Sequence, residues 1–151
     1  MIKASDIQKL REETGAGVMD CKRALTEAGG NFDKAKELIK AQGLLKADKK
    51  STRAVGSGIV TSYIHNDRVG VLLEIRCETD FVGNSDPFRE LAKNISMQIA
   101  AMEPENVEEL LKQPFIKDQG TLIVDLIKGV IAKVGENIVI ERFARFEIQS
   151  R

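Results

Sequence analysis

The chain has 151 residues, 42% hydrophobic and 30% charged, with 23 Lys+Arg balancing 23 Asp+Glu. That size and apolar content exclude a disordered chain and fit one domain, or one domain with a small module. A formal net charge of zero supplies no overall field toward nucleic-acid phosphates or an anionic membrane, so neither direct nucleic-acid binding nor membrane association is expected. The apolar run Val69-Gly70-Val71-Leu72-Leu73 falls far short of the roughly 20 residues a transmembrane helix needs. Met1-Ile2-Lys3-Ala4-Ser5-Asp6 carries charge where a signal peptide has its apolar stretch. Cys21 and Cys77 match neither a disulfide framework nor a metal knuckle. The cytoplasm is the expected compartment.

The first fifty residues predict three short helices. Ser5 and Gln8 have the form of a capping box, with Ile7 and Leu10 one turn apart behind it, and Thr14-Gly15-Ala16-Gly17 stops the helix. Val18, Cys21, Leu25 and Ala28, with Ala24 beside them, make the inner stripe of a second helix ending at Gly29-Gly30. Asn31 can cap a third, with Phe32, Ala35, Leu38 and Ile39 inward and Gly43 as its C-terminal cap. Lys46, Lys49, Lys50 and Arg53 against the single acid Asp48 then read as a basic linker, either a solvated connector or a contact for phosphates.

Beyond Ala54 the apolar pattern alternates. Ile59, Thr61 and Tyr63 define one strand, Asn66-Asp67-Arg68 a turn, and Val71, Leu73, Ile75 and Cys77 the returning strand. Asp86-Pro87 suggests a cap followed by proline at the first helical position, after which Phe88, Leu91, Ala92, Ile95, Ile99 and Met102 form a long stripe. Glu103-Pro104 ends it; a short acidic helix follows over 105–112 and Pro114 breaks the pattern. Ile123, Leu126, Ile127, Val130 and Val134 make a further helix closed by Gly135. Residues 137–148 return to a strand with Ile138, Ile140, Ala144, Phe146 and Ile148 on one face and Arg142 as the exception. The chain thus divides into a three-helix module over 1–45, a basic linker over 46–54 and an α+β core over 55–151, with about three antiparallel strands covered by helices.

No residues encode a phosphate cradle: neither Gly56-Ser57-Gly58 nor Gly15-Ala16-Gly17 continues into a P-loop or a dinucleotide fingerprint. His65 is the single histidine, and both cysteines fall on apolar stripes, so no catalytic residue, cofactor or metal site is expected. That leaves binding. Met19 lies off the inner stripe beside Arg23 and Thr26, as an adaptable contact or a scattered surface methionine. Thr79-Asp80-Phe81-Val82-Gly83 falls in the loop before the long helix, where Phe81 either projects as a wedge or tucks under the loop.

Three stretches also carry a resemblance. Leu10-Arg11-Glu12-Glu13-Thr14-Gly15-Ala16-Gly17-Val18-Met19-Asp20-Cys21-Lys22-Arg23-Ala24-Leu25 is similar to the N-terminal signature of the elongation factor Ts family, guanine-nucleotide exchange factors of bacterial translation. Glu74-Ile75-Arg76-Cys77-Glu78-Thr79-Asp80-Phe81-Val82 and Gly135-Glu136-Asn137-Ile138-Val139-Ile140-Glu141-Arg142 resemble its second and third signatures, in the family's order. The resemblance implies a ubiquitin-associated-like module followed by an α+β core, and an exchange factor rather than an enzyme. It implies that Arg11, Val18, Met19 and Lys22 grip the nucleotide-binding domain of elongation factor Tu. It further implies that Thr79, Asp80, Phe81 and Val82 form the second contact, with the Asp80-Phe81 pair wedged near the magnesium and phosphate site. Relatives commonly have a longer core, whereas here only Glu103 to Gln113 separates the long helix from Pro114-Phe115; contacts of the missing unit are then absent or come from a second copy, as a homodimer. Glu141 stands where relatives usually place a base. The rival expectation is a module that captures ubiquitin-like or peptide ligands, with the basic linker touching RNA.

Overall fold

The computed structural model describes residues 1–149; Ser150 and Arg151, at the end of the expected core, lie outside them. Helices α1 (Ala4–Thr14), α2 (Val18–Glu27) and α3 (Phe32–Lys50) come first, followed by β1 (Ser57–His65), β2 (Val69–Cys77) and the single turn α4 (Asp80–Gly83). Then come α5 (Asp86–Met102), α6 (Val107–Lys112), β3 (Pro114–Phe115), β4 (Asp118–Leu122), α7 (Ile123–Val134) and β5 (Ile138–Glu147). The fold is α+β, as its pattern of elements predicts. β1, β2 and β5 form an antiparallel sheet in that order, and β3 and β4 a separate two-stranded ribbon.

Leu10, Cys21, Ala24, Leu25, Ala28 and Ala35 are buried together, so the inner stripes of α1 to α3 close on one another as their spacing requires. Two details differ from expectation. α1 begins at Ala4, which places Ser5 inside the helix, so no capping box forms, and Gln8 donates to Glu12 instead. Val18 is 48% exposed because the inner stripe starts one turn later, at Cys21, whose thiol lies against the Ala16 carbonyl.

The larger correction concerns α3, which Asn31 caps through its side chain but which Gly43 does not end. The helix continues through the expected linker to Lys50. Gly43 faces α7, and Ala47, four residues on, is buried in the sheet-side core. Lys46 donates to Asp20 of α2 at 2.8 Å and Asp48 pairs with Lys128 of α7 at 2.9 Å. Two charges of the segment are thus taken up by α2 and α7, and Ala47 between them gives the extension its packing.

In the sheet, Val71, Leu73, Ile75 and Cys77 face inward as their alternation dictates, and Asn66 and Asp67 both take positive φ, as a tight hairpin turn matching strand twist requires. α5 covers this face with Phe88, Leu91, Ala92, Ile95 and Ile99; its cap position is Ser85 rather than Asp86, and Met102 points out at its end. β5 departs from a single alternating face. Ile75 pairs with Ile140 but Glu74 with Arg142, so Glu141 is an extra residue and a bulge. Beyond it the sides exchange: Phe143 packs on the core, while Phe146 is 76% exposed. Glu141 meets Arg76 at 3.7 Å across the strands. The ribbon β3–β4 was not expected past Pro114. Its anchor is Gln98, a fully buried side chain of α5 that donates to the Pro114 carbonyl and accepts from the Ile116 N–H, each at 2.9 Å.

Candidate functional site

Two of the exposed patches among the described residues hold the residues expected to contact a partner. On α2, Val18, Met19 and Lys22 stand at i, i+1 and i+4, which puts them on one side of the helix, along the edge of the buried stripe of Cys21 and Leu25. Met19 is 65% exposed. Arg11 of α1 and Val18 line one shallow groove with Ala4, Ile7, Gln8 and Glu12, so the structure brings two of the four expected contacts together directly and the other two onto the adjoining face. On another side of α2, Asp20 binds Arg23 and Lys46, and its carboxyl is held below the usual carboxylate range, first by the hydrogen bond from Lys46.

The second patch is α4, which is one helical turn rather than a loop. The Thr79 hydroxyl caps it by accepting from the Val82 N–H at 3.3 Å, and the Asn84 side-chain amide donates to the Asp80 carbonyl at 3.0 Å. The Ser85 hydroxyl donates to the Val82 carbonyl at 2.6 Å. A turn of this length must send neighbouring side chains in different directions. Val82 goes inward, 5% exposed, while Asp80 points to solvent and Phe81 is 86% exposed. Thr79 is exposed at the root of the turn but bonded within the chain. Of the four residues expected at this contact, Val82 is therefore an anchor and Asp80 and Phe81 are the free surface.

Beneath α4 the Cys77 thiol donates to the Thr79 carbonyl at 3.2 Å, and burial, followed by the charge of Glu136, pushes its pKa up. On the other face of β2, Glu74 accepts from Arg142 at 2.8 Å and Arg76 at 2.9 Å, and the Arg142 hydrogen bond is the main reason its carboxyl titrates low. Periodicity gave no sign of Glu136, which holds the root of α4; its one signal is its place after Gly135 within the third resembling stretch. Among the described residues no group of His, Cys, Asp or Glu is placed to hold a metal, and no helix is long and apolar enough to cross a membrane.

A small α+β protein with an N-terminal three-helix module and an aromatic residue presented on a braced turn is the class that this fold and surface define. The sequence model of the family described as Elongation factor TS matches residues 33–107 and 78–151. The elongation factor Ts of Thermodesulfovibrio yellowstonii is 40% identical over an alignment covering 97% of this chain and 96% of the relative. That of Moorella thermoacetica is 41% identical, covering 98% and 96%. The chain belongs to the elongation factor Ts family, the nucleotide exchange factors of translation elongation. The alignment to the first of these relatives runs over 191 positions, more than the 151 residues here, so that relative carries a segment with no counterpart in this chain.

Proposed function

We propose that the chain acts in the cytoplasm on elongation factor Tu, releasing GDP by binding a conformation that holds the nucleotide badly. Residues 1–45 serve as the gripping module, with Arg11, Val18, Met19 and Lys22 on the partner's nucleotide-binding domain. Residues 55–151 serve as the exchange core, and Asp80-Phe81 enters near the magnesium and phosphate site. The observation that carries this reading is Phe81, 86% exposed on a turn whose neighbour Val82 is buried. An isolated, rigidly presented aromatic ring is suited to a pocket on another protein.

Magnitudes assign the work. Speeding release by about 10⁴ means lowering the barrier by roughly 5.5 kcal/mol. Burying one Phe side chain contributes about 1.5 to 3 kcal/mol, so Phe81 alone falls short and the α2 patch must add affinity for the distorted state. Coupling of this kind is reciprocal: excess GDP weakens the chain's hold on its partner by the factor by which the chain weakens GDP. Phe81→Ala and Asp80→Ala leave the fold intact, since both side chains are exposed, and slow labelled-GDP release; for Phe81→Ala the loss is about 10- to 150-fold. Wild-type rates in both variants remove the wedge and leave family membership untouched.

The same reading includes a homodimer. The outer face of the sheet carries Val60, Ile64, Leu72 and Phe146, all more than half exposed, in neighbouring strands. Such a face suits a second copy, which would also supply contacts that a longer relative makes with its additional segment.

A further inference from the structure

A single helical turn is not stable by itself, because nucleation fixes several residues for one hydrogen bond. What holds α4 must come from outside it. The Glu136 carboxylate, in the connection from α7 to β5, accepts from the N–H groups of Glu78 at 3.1 Å and Thr79 at 3.0 Å through Oε1. Its Oε2 accepts from the Thr79 hydroxyl at 2.7 Å. The tie is returned, for the Glu78 carboxylate accepts from the Asn137 N–H at 2.8 Å. Asn137, itself buried, donates through Nδ2 to the Arg53 carbonyl at 2.9 Å, and the Arg53 guanidinium stands 3.6 Å from Glu78. The segment just after α3, the α7–β5 turn and the root of α4 therefore meet in one knot.

We infer that Glu136 is a positioning residue for exchange: it fixes the direction in which Phe81 leaves the core and, through Asn137 and Glu78, ties that direction to α3 and hence to the gripping module. The inference rests on the wedge role proposed above. All three hydrogen bonds of Glu136 run to the two residues that precede α4, so its influence on a partner passes through the turn. A carboxylate suits the task because three donors converge on it and it needs no proton of its own. Misplacement of a contact group by about 1 Å can cost as much as 10² in rate, so a loosened turn is costly even with Phe81 present.

The test is labelled-GDP release from elongation factor Tu as a function of chain concentration, for Glu136→Ala, Glu136→Gln, Phe81→Ala and the double variant Phe81→Ala/Glu136→Ala. Glu136→Ala lowers the saturating rate about tenfold, whereas the half-saturating concentration, set by the α2 patch, moves less than about twofold. Glu136→Gln, which keeps the volume and one accepting oxygen, falls between. The double variant is no slower than Phe81→Ala, because a residue acting through Phe81 then has nothing to direct. A wild-type saturating rate for Glu136→Ala, or losses that multiply in the double variant, overturns the positioning role while a slow Phe81→Ala keeps the wedge. A wild-type rate for Phe81→Ala defeats the wedge and the inference with it. If thermal unfolding shows Glu136→Ala unfolded, Glu136→Gln decides, and an unchanged saturating rate in it overturns the role.

Discussion

Gly43 of α3 faces Ala132 of α7 so closely that a β-carbon on the glycine would stand 3.3 Å from the alanine's own. This approach lets α3 run past a residue that ordinarily ends helices, so that one rod carries the module at its start and joins the core at its end. Alanine at 43 gains about 1 kcal/mol of helix propensity over glycine and gives part of it back in the tight contact. Gly43→Ala is therefore close to neutral. Gly43→Leu overfills the crossing and lowers stability by about 1 to 3 kcal/mol, measured as a reduced urea midpoint.

Acid loosens α2 against α3. The Asp20 carboxyl titrates below its ordinary value chiefly through the Lys46 hydrogen bond. A lowered pKa in the folded state stabilises above the unfolded value of about 3.9 and is lost as pH falls through the folded value. The effect is about 0.5 kcal/mol, because Lys46 is half exposed and the pair is partly screened. Asp20→Asn lowers the melting temperature at neutral pH and removes part of its fall below about pH 4.

Cys77 behaves in the opposite sense. Its raised pKa contributes stability below the ordinary thiol value, about 8.5, which declines as pH rises above it. Buried and protonated, Cys77 resists maleimide labelling in the native chain at pH 7, as does the buried Cys21. Both label in denaturant. Rapid native labelling of Cys77 alone would show that α4 opens readily above it.

The homodimer proposed over the outer sheet face is expected to be broken by charge placed there. Phe146→Asp and Leu72→Asp sediment as monomers at concentrations where the unaltered chain sediments as a dimer, with circular dichroism unchanged because both side chains are exposed. A monomeric unaltered chain contradicts the dimer.

Much of this architecture was legible where residues obey a single period. The alternation of Val71, Leu73, Ile75 and Cys77 and the stripe from Phe88 to Ile99 each face one core, and local pattern and burial agree. Reading failed where a long-range contact overrode a local signal. Gly43 is a stop signal until Ala132 is placed against it, and Glu141 reads as one more strand residue until pairing with β2 shows it to be supernumerary. The ribbon β3–β4 depends on Gln98, a polar side chain that no apolar pattern marks. At the candidate site, Phe81 could not be placed by periodicity, since a single turn has no period. Its exposure follows from Val82, Thr79 and Glu136 taking the inward bonds and contacts. Resemblance singled out the expected contact residues; packing explains which of them stand exposed.

The most direct measurement is the rate at which labelled GDP leaves elongation factor Tu on stopped-flow mixing with the unaltered chain and excess unlabelled nucleotide. Release that accelerates with chain concentration and saturates is the result predicted here. Release as slow as from elongation factor Tu alone, at every chain concentration, contradicts it.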